Sequence, residues 1–195
     1  MAGMPINIPI PAESAVASYS YNEITSGQGY IRFYLFNDGV DYAMNDNKIY
    51  SGVLRCMTIN NSSATVVFTS SIFNSPRVLN GNAYLEFSQS MNCSANRTQT
   101  TGGVLKLVSD GVTTTIGTFP NVTEVRNTGS TTQYFIKTSR VTISNINIKK
   151  GDYLTLDVTL GVAGASDSGG YCDPYIVTAG QAGASSIALP FKIQL

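Results

Sequence analysis

Strict alternation of apolar and polar side chains is the feature that most constrains the fold of this chain. In residues 153–160 every even position is Leu or Val, and the positions between them are Tyr, Thr or Asp. Residues 82–88 and 187–195 repeat the pattern. Because successive side chains of a β-strand point to opposite faces, these segments are predicted to be strands with one buried face.

Residues 103–116 form a predicted hairpin, because Asp110-Gly111 is a favoured pair for a two-residue turn with positive φ at both positions. The apolar positions change phase at Ser144-Asn145, which predicts a β-bulge or a corner between sheets. Further β-branched or aromatic runs predict strands at 30–36, 53–59, 65–69, 132–137 and 140–148, with shorter ones at 16–19 and 175–177.

No apolar stripe with helical spacing persists for three turns, and turn residues interrupt the chain often. The sequence therefore predicts an all-β protein, an antiparallel sandwich or barrel of about ten short strands. We expect an extended arm over residues 1–11 and a single β domain over residues 12–195. Long loops are predicted at 37–48, 89–102 and 161–173.

Charge is scarce and balanced. The chain has 12 basic and 12 acidic residues, and only 12% of its residues are charged. Nucleic-acid binding draws its affinity from clustered Lys and Arg, so this balance argues against it. The densest basic pair, Lys149-Lys150, precedes Gly151-Asp152 and reads as a turn. No apolar run approaches the roughly 20 residues that span a bilayer, and the first residues do not resemble a secretory signal. We therefore expect a chain made in the cytoplasm and not inserted in a membrane.

The residues that usually carry hydrolytic chemistry are few. The chain contains no histidine, so it has no Ser-His or Cys-His dyad. Its four glutamates, Glu13, Glu23, Glu86 and Glu124, show no facing pair, and Glu86 falls on the predicted outer face of a strand. We expect no enzyme, no catalytic residue and no cofactor.

One loop resembles a cation site. Asp38, Asp41, Asn45 and Asp46 offer the several oxygen ligands that calcium prefers, although they do not follow the helix-flanked calcium-loop pattern. A solvated turn rich in Asn, Asp and Gly explains the same residues. We therefore expect such a turn here and no metal site.

The cysteines, Cys56, Cys93 and Cys172, are odd in number and far apart. A disulfide framework uses an even, dense set, and zinc uses closely spaced Cys or His pairs. Small buried thiols are the expected reading.

Tyrosine is abundant near the start of the chain. Tyrosine suits protein interfaces because it joins a large apolar face to a polar tip. We expect this region to contact other subunits, with ordinary core packing as the alternative. Six of the 11 tyrosines fall in the first quarter, at Tyr19, Tyr21, Tyr30, Tyr34, Tyr42 and Tyr50.

Three segments resemble known families. Residues 146–158 resemble the strand-turn-strand of jelly-roll domains in trimeric complement-type and tumour-necrosis-type proteins and in phage surface proteins. Residues 187–193 are similar to the endings of small proteins of tailed viruses, and residues 5–11 are similar to their starts. The resemblance implies a two-sheet jelly-roll sandwich on a virus surface. It carries over no functional residue, because the similarity concerns scaffold strands.

Three functional hypotheses follow. The first is a virion structural protein without enzymatic activity, a capsid-decorating or minor capsid subunit that binds other capsid subunits or its own copies, as a trimer by resemblance. The second is a receptor- or glycan-binding module of a viral tail or cell-surface protein. The third is an accessory domain of a secreted hydrolase, which the absence of a recognisable signal peptide disfavours.

Overall fold

The computed structural model describes residues 28–37, 41–46, 63–93, 97–126, 129–163, 175–176 and 185–192. Within these ranges the chain forms ten strands and no helix, so the all-β prediction is confirmed. The strands are β1 (Gln28–Asn37), β2 (Tyr42–Asn45), β3 (Ser63–Ser70), β4 (Arg77–Cys93), β5 (Arg97–Ser109), β6 (Val112–Arg126), β7 (Gly129–Ile148), β8 (Tyr153–Ala163), β9 (Tyr175–Ile176) and β10 (Ser186–Lys192).

Nine of these strands are hydrogen-bonded in the order β6-β5-β8-β3-β2-β1-β10-β4-β7, and β9 pairs with β4. Among the described strands, every pair is antiparallel except β2 and β3, which run parallel over two residue pairs. The prediction of a purely antiparallel arrangement is therefore wrong at this one junction, and the sheet is mixed. The junction matters because β2 joins the group that contains β1 to the group that contains β3.

The alternating segments form strands with one buried face, as predicted. In β8, Leu154, Leu156, Val158 and Leu160 are each 0% exposed, while Thr159 between them is exposed. In β4 the same rule holds, with Ala83, Leu85 and Phe87 buried and Tyr84 exposed. In β10, Ile187, Leu189 and Phe191 are buried as predicted, but Ser186 and Pro190 on the other side are buried too.

The predicted turns are also present. Asp110 and Gly111 both have positive φ, 51° and 76°, and they join β5 to β6 with Ser109 opposite Val112. Gly111 supplies this backbone conformation at little steric cost. The Lys149-Lys150-Gly151-Asp152 segment forms the turn between β7 and β8.

The phase change in β7 is a β-bulge. Leu79 of β4 lies opposite Ile146, whereas Gly81 lies opposite Ile143, so β7 has one more residue than β4 in this interval. Asn145 takes up the extra length with a φ of 49°. The strand continues through the bulge, so the two strands predicted at 132–137 and 140–148 are one strand of 20 residues.

Pro190 lies in a central strand, where its missing N–H needs an explanation. The Leu35 amide donates to the Ser185 carbonyl (3.0 Å), so the odd-numbered residues of β10 direct their amides toward β1. Pro190 therefore faces β4. Its position falls between Ala188 and Phe191, where the register with β4 shifts, and the proline sits at this irregularity.

Two predicted loops are partly strands. The 37–48 segment contains β2, whose Met44 is 1% exposed; four residues are too few to show an alternating pattern among the flanking Asn and Asp. The 89–102 segment is mostly strand, because β4 runs to Cys93 and β5 begins at Arg97. Thr and Asn in this segment mimic a loop in composition, but Thr also has a high strand propensity.

The two ends of the strand order meet along one seam. Lys137 Nζ of β7 donates to the Val122 carbonyl of β6 (3.3 Å), and Ser139 Oγ donates to the Pro120 carbonyl (3.1 Å). Among the described strands, β6 and β7 share no ladder of main-chain hydrogen bonds. Side chains of β7 therefore satisfy carbonyl groups on the edge of β6 and nearly close the sheet.

The inner faces enclose one apolar core. Gly103 of β5 marks a close approach across it, since a Cβ there would lie 2.7 Å from Leu85 Cδ2 of β4. These two strands are far apart in the strand order, so the contact crosses the interior. The largest fully buried side chains are Phe68, Phe87, Phe119, Leu35, Met44, Leu79, Leu85, Leu105, Ile143 and Ile148.

Several predictions lie outside the described residues. They include the arm at 1–11, the strands at 16–19 and 53–59, most of the 161–173 loop, and Cys56 and Cys172. The limits of the single domain and the homo-oligomeric state stay predictions. No helix long and apolar enough to cross a membrane occurs in the ranges given above.

Substituting Gly103 tests the close approach across the core. We expect Gly103→Ala to lower the free energy of unfolding by about 1 kcal/mol or more, because the added methyl overpacks a site bounded by a fully buried Leu85. Gly161→Ala is the matched control, since its Cβ would meet Ser63 Cβ at an ordinary 3.8 Å. Urea unfolding measures both variants, and equal stabilities would contradict the packing described.

Candidate functional site

The four residues of the calcium alternative lie only partly within the described ranges. Asp38 lies outside the described residues, Asp41 is exposed, Asn45 is the last residue of β2, and Asp46 follows it. No group of three or more His, Cys, Asp or Glu side chains that could hold a metal ion occurs in the described part of the chain. The calcium alternative is untested at Asp38.

Glu86 lies on the outer face of β4, as the alternation predicts, and its carboxylate is 3.6 Å from Arg32 Nη1 of β1. Arg32 Nη1 also donates to Ser186 Oγ of β10 (3.2 Å). The guanidinium thus links three adjacent strands. Glu124 is in β6, and Glu13 and Glu23 fall outside the described ranges, so the structure brings no second glutamate to Glu86 in the part that it describes.

The outer side of β1, β10, β4 and β7 carries a group of aromatic and basic residues. We call it the arginine–tyrosine face and define it by Tyr30, Arg32, Tyr84, Arg140 and Lys192. The registers place Arg32 opposite Ala188, Ala188 opposite Tyr84, and Tyr84 opposite Arg140, which forms a row across all four strands.

Tyr30 and Tyr84 lean toward each other over β10. Because β10 lies between them, their strands are about 9–10 Å apart. The ring centroids are nevertheless only 6.1 Å apart, with planes inclined at 48°. The residues of β10 opposite the two tyrosines are Pro190 and Ala188, which are small enough to let the rings approach. Tyr84 stays 37% exposed.

The outer side of β3, β8, β5 and β6 is different. It is rich in threonine, and we call it the threonine face, defined by Thr65, Thr155, Thr159, Lys106 and Asp157. Thr65 Oγ1 and Thr159 Oγ1 share a hydrogen bond of 2.8 Å. Lys106 Nζ donates to the Asp157 carboxylate in a partly buried ion pair, so the two charges neutralise each other.

A third surface is formed by turns at one end of the strands. The Phe73 amide donates to the Asp152 carbonyl (2.8 Å), and the Gly151 amide donates to the Phe73 carbonyl (2.8 Å). The buried Asp152 carboxylate accepts a hydrogen bond from the Lys149 amide (2.7 Å). This turn is therefore tied to the loop between β3 and β4.

Lys149 also connects this turn to the hairpin turn. Its Nζ donates to the Asp110 carboxylate (3.0 Å). The hydrogen bond to Asp110 and the attraction of the same charge raise the pKa of Lys149 above its ordinary value. Both side chains are well exposed, so salt screens the pair.

The contact of the tyrosine-rich region with other subunits stays a prediction, and the structure shows only where three of its six tyrosines lie. Tyr30 and Tyr34 lie on the outer side of β1, but Tyr42 packs edge-on against the buried Phe68, with centroids 5.7 Å apart. Tyr42 therefore follows the core-packing alternative. Tyr19, Tyr21 and Tyr50 are outside the described residues. Sequence reasoning missed Tyr84, Arg140 and Lys192, because alternation shows which face a residue occupies but does not show which strands are neighbours.

Comparison with known proteins finds solved structures that share this fold. No family model matches the sequence, and no curated protein matches it. Solved structures that match include an aminopeptidase from a marine sediment Thaumarchaeota archaeon (TM-score 0.56, 6% identity, 86% of this chain and 37% of that chain). A CocE/NonD family hydrolase from Staphylococcus aureus matches with TM-score 0.52 and 16% identity over 85% of this chain and 37% of that chain. An α-amino acid ester hydrolase matches with TM-score 0.52 and 9% identity over 81% and 36%.

These matches correct the functional expectations. The structural neighbours are hydrolases and an aminopeptidase, not viral proteins. The predicted relation to viral jelly-roll proteins is therefore wrong, and so is the virion structural role with its receptor-binding alternative. The expectation that the chain is no enzyme is wrong for the same reason. Identities of 6–16% show a shared fold and nothing finer. The chain spans little more than a third of the length of these neighbours.

Removing the Asp110 carboxylate tests the link between the two turns. Asp110→Asn is expected to lower the pKa of Lys149 toward its ordinary value, measured by an NMR titration of the lysine side chain. Because the folded pKa of Lys149 is raised, the pair stabilises the fold below pH 10.5, and this contribution is lost as the pH rises through the folded pKa. Asp41→Asn, at an exposed site in another loop, is the control. An unchanged Lys149 midpoint in Asp110→Asn would refute the link.

Proposed function

We propose that this chain is the all-β module of a hydrolase and works together with a catalytic unit, in the same polypeptide or in a separate chain. One observation carries the proposal: four solved structures of three hydrolase or peptidase proteins share this fold over 81–86% of the present chain and only 36–37% of their own length. About two thirds of each neighbour therefore lies outside the shared part.

The residue content of the chain supports this division of tasks. With no histidine in 195 residues, a Ser-His or Cys-His dyad cannot be assembled from this chain alone. The matched part of the neighbours corresponds to a region of strands, since the described residues form no helix. We assign the hydrolytic groups to the catalytic unit, and we assign to this chain the packing against that unit.

The substrate class proposed is an ester or an amide of the carboxyl group of an amino acid. Two neighbours support this class by their names, an α-amino acid ester hydrolase and an aminopeptidase. In both reactions a nucleophile attacks the carbonyl carbon, and the ester then releases an alcohol whereas the amide releases an amine. One kind of catalytic unit therefore suits both.

We further propose that the fold is a two-sheet jelly-roll sandwich. The strand order supports this, because on either side of β2 it contains two groups of four strands, β1-β10-β4-β7 and β3-β8-β5-β6. Each group combines strands from early and late parts of the chain, as in a jelly roll of eight strands. The approach of Gly103 in one group to Leu85 in the other supports face-to-face packing of the two groups.

Recovery of the native protein tests the proposed function. An antibody against the 195-residue chain is used to isolate the protein from its source, as a longer polypeptide or as a complex. We expect the isolated material to hydrolyse an amino-acid p-nitrophenyl ester or an amino-acid p-nitroanilide. An antibody saturated beforehand with the free chain is the control and should retain no activity.

Mass spectrometry of the same material identifies what accompanies the chain. A second unit, or a longer polypeptide, with hydrolase activity would support the proposal. Material that consists of the 195-residue chain alone and hydrolyses neither substrate would refute it.

A further inference from the structure

We infer that the arginine–tyrosine face is the surface that holds the catalytic unit, and that the surface of the unit that docks there is acidic. This inference rests on the proposed function, which supplies the identity of the occupant. It assigns the docking role to one of the three surfaces described above.

Charge distinguishes the two outer sheet faces. The arginine–tyrosine face carries Arg32, Arg140 and Lys192, and the one carboxylate among its described residues is Glu86. Among the side chains that the structure describes, the threonine face carries Lys106 and Asp157 as a neutralised pair. Since the whole chain has 12 basic and 12 acidic residues, the excess of positive charge on one face is a local feature. Complementary charge favours an acidic partner there and opposes a basic one.

Apolar surface lies within the same face. Tyr84 is 37% exposed and Ile136 of β7 is 59% exposed, and both lie on the outer side of their strands. Tyr and Arg are the residues that most often provide strong anchors in protein interfaces, while charged pairs at the rim contribute less. The face thus combines aromatic anchors at its centre with basic groups around them.

Arg32 and the two tyrosines are also held in place before binding. Arg32 is fixed by Ser186 and Glu86, and the Tyr30 and Tyr84 rings contact each other above β10. A side chain that is already ordered loses less conformational entropy when a partner binds. The turn surface also exposes large apolar residues, Ile72 and Val112. Its positive charge is smaller, because Lys149 is paired with Asp110 and only Lys150 adds to it.

Binding of an acidic polymer to the full chain tests the charge assignment. Poly-L-glutamate is titrated at low salt, and binding is followed by calorimetry. Arg140→Glu is expected to weaken binding about tenfold. Lys150→Glu is the matched control, because it makes the same change in net charge at the exposed turn and should weaken binding much less. Lys192→Glu should act like Arg140→Glu, which provides a second variant should the first fail to fold. Equal weakening by Arg140→Glu and Lys150→Glu, or no binding by the unsubstituted chain, overturns the inference.

Carbodiimide coupling of the native material recovered by the antibody tests the occupant. This reagent joins lysine amines to carboxylates in contact with them, and we expect Lys192 to be joined to an Asp or Glu of the catalytic unit. Coupling of the unit to Lys106 or Lys150, with Lys192 unmodified, overturns the inference and leaves the proposed function standing. Absence of a hydrolase from the recovered material refutes both, so the two failures are distinguishable.

Discussion

The burial of apolar faces from distant strands against one another is the constraint on which the rest of this structure depends. Leu154, Leu156 and Leu160 of β8 are fully buried, and so is Leu85 of β4, on a strand that β8 does not pair with. Gly103 allows this approach, since a Cβ at that position would lie 2.7 Å from Leu85 Cδ2. Because each inner face is apolar at every second residue, a shift of register by one residue would expose a whole face to water. The same alternation therefore determines which residues are left on the outside to bind partners.

Closure of the sheet limits how this chain can interact. The ends of the strand order, β6 and β7, meet at a seam where Lys137 and Ser139 donate to the carbonyls of Val122 and Pro120. An open strand edge is a template for adding a strand from another molecule, and side chains that occupy its carbonyl groups make this addition less favourable. Among the described strands, the outer faces and the turns are thus the surfaces best suited to recognition. This links the fold to the docking role assigned to one outer face.

The sequence predicts the inside of this protein better than its outside. Alternation identifies the buried residues of β4, β8 and β10, and Asp110-Gly111 identifies the hairpin, because both signals are local. The strand order is not local: Tyr30 meets Tyr84 only because β10, from the end of the chain, lies between β1 and β4. The likeness of residues 146–158 to viral and tumour-necrosis-type proteins misled for a related reason. A Lys-Gly-Asp turn between two alternating strands is a scaffold feature, and scaffolds host many unrelated functions.

Composition also hides the asymmetry that matters most for binding. A net charge of zero describes the sum over the chain, whereas a partner meets one surface at a time. Neutralisation of Lys106 by Asp157 on one face, together with the basic excess of Arg32, Arg140 and Lys192 over Glu86 on the other, makes the two faces electrostatically distinct. Exposed charge pairs contribute little to stability, so the ion pair between Arg32 and Glu86 is better explained as orienting the guanidinium than as holding the fold together. An oriented guanidinium beside ordered aromatic rings is suited to bidentate contact with a carboxylate of a partner.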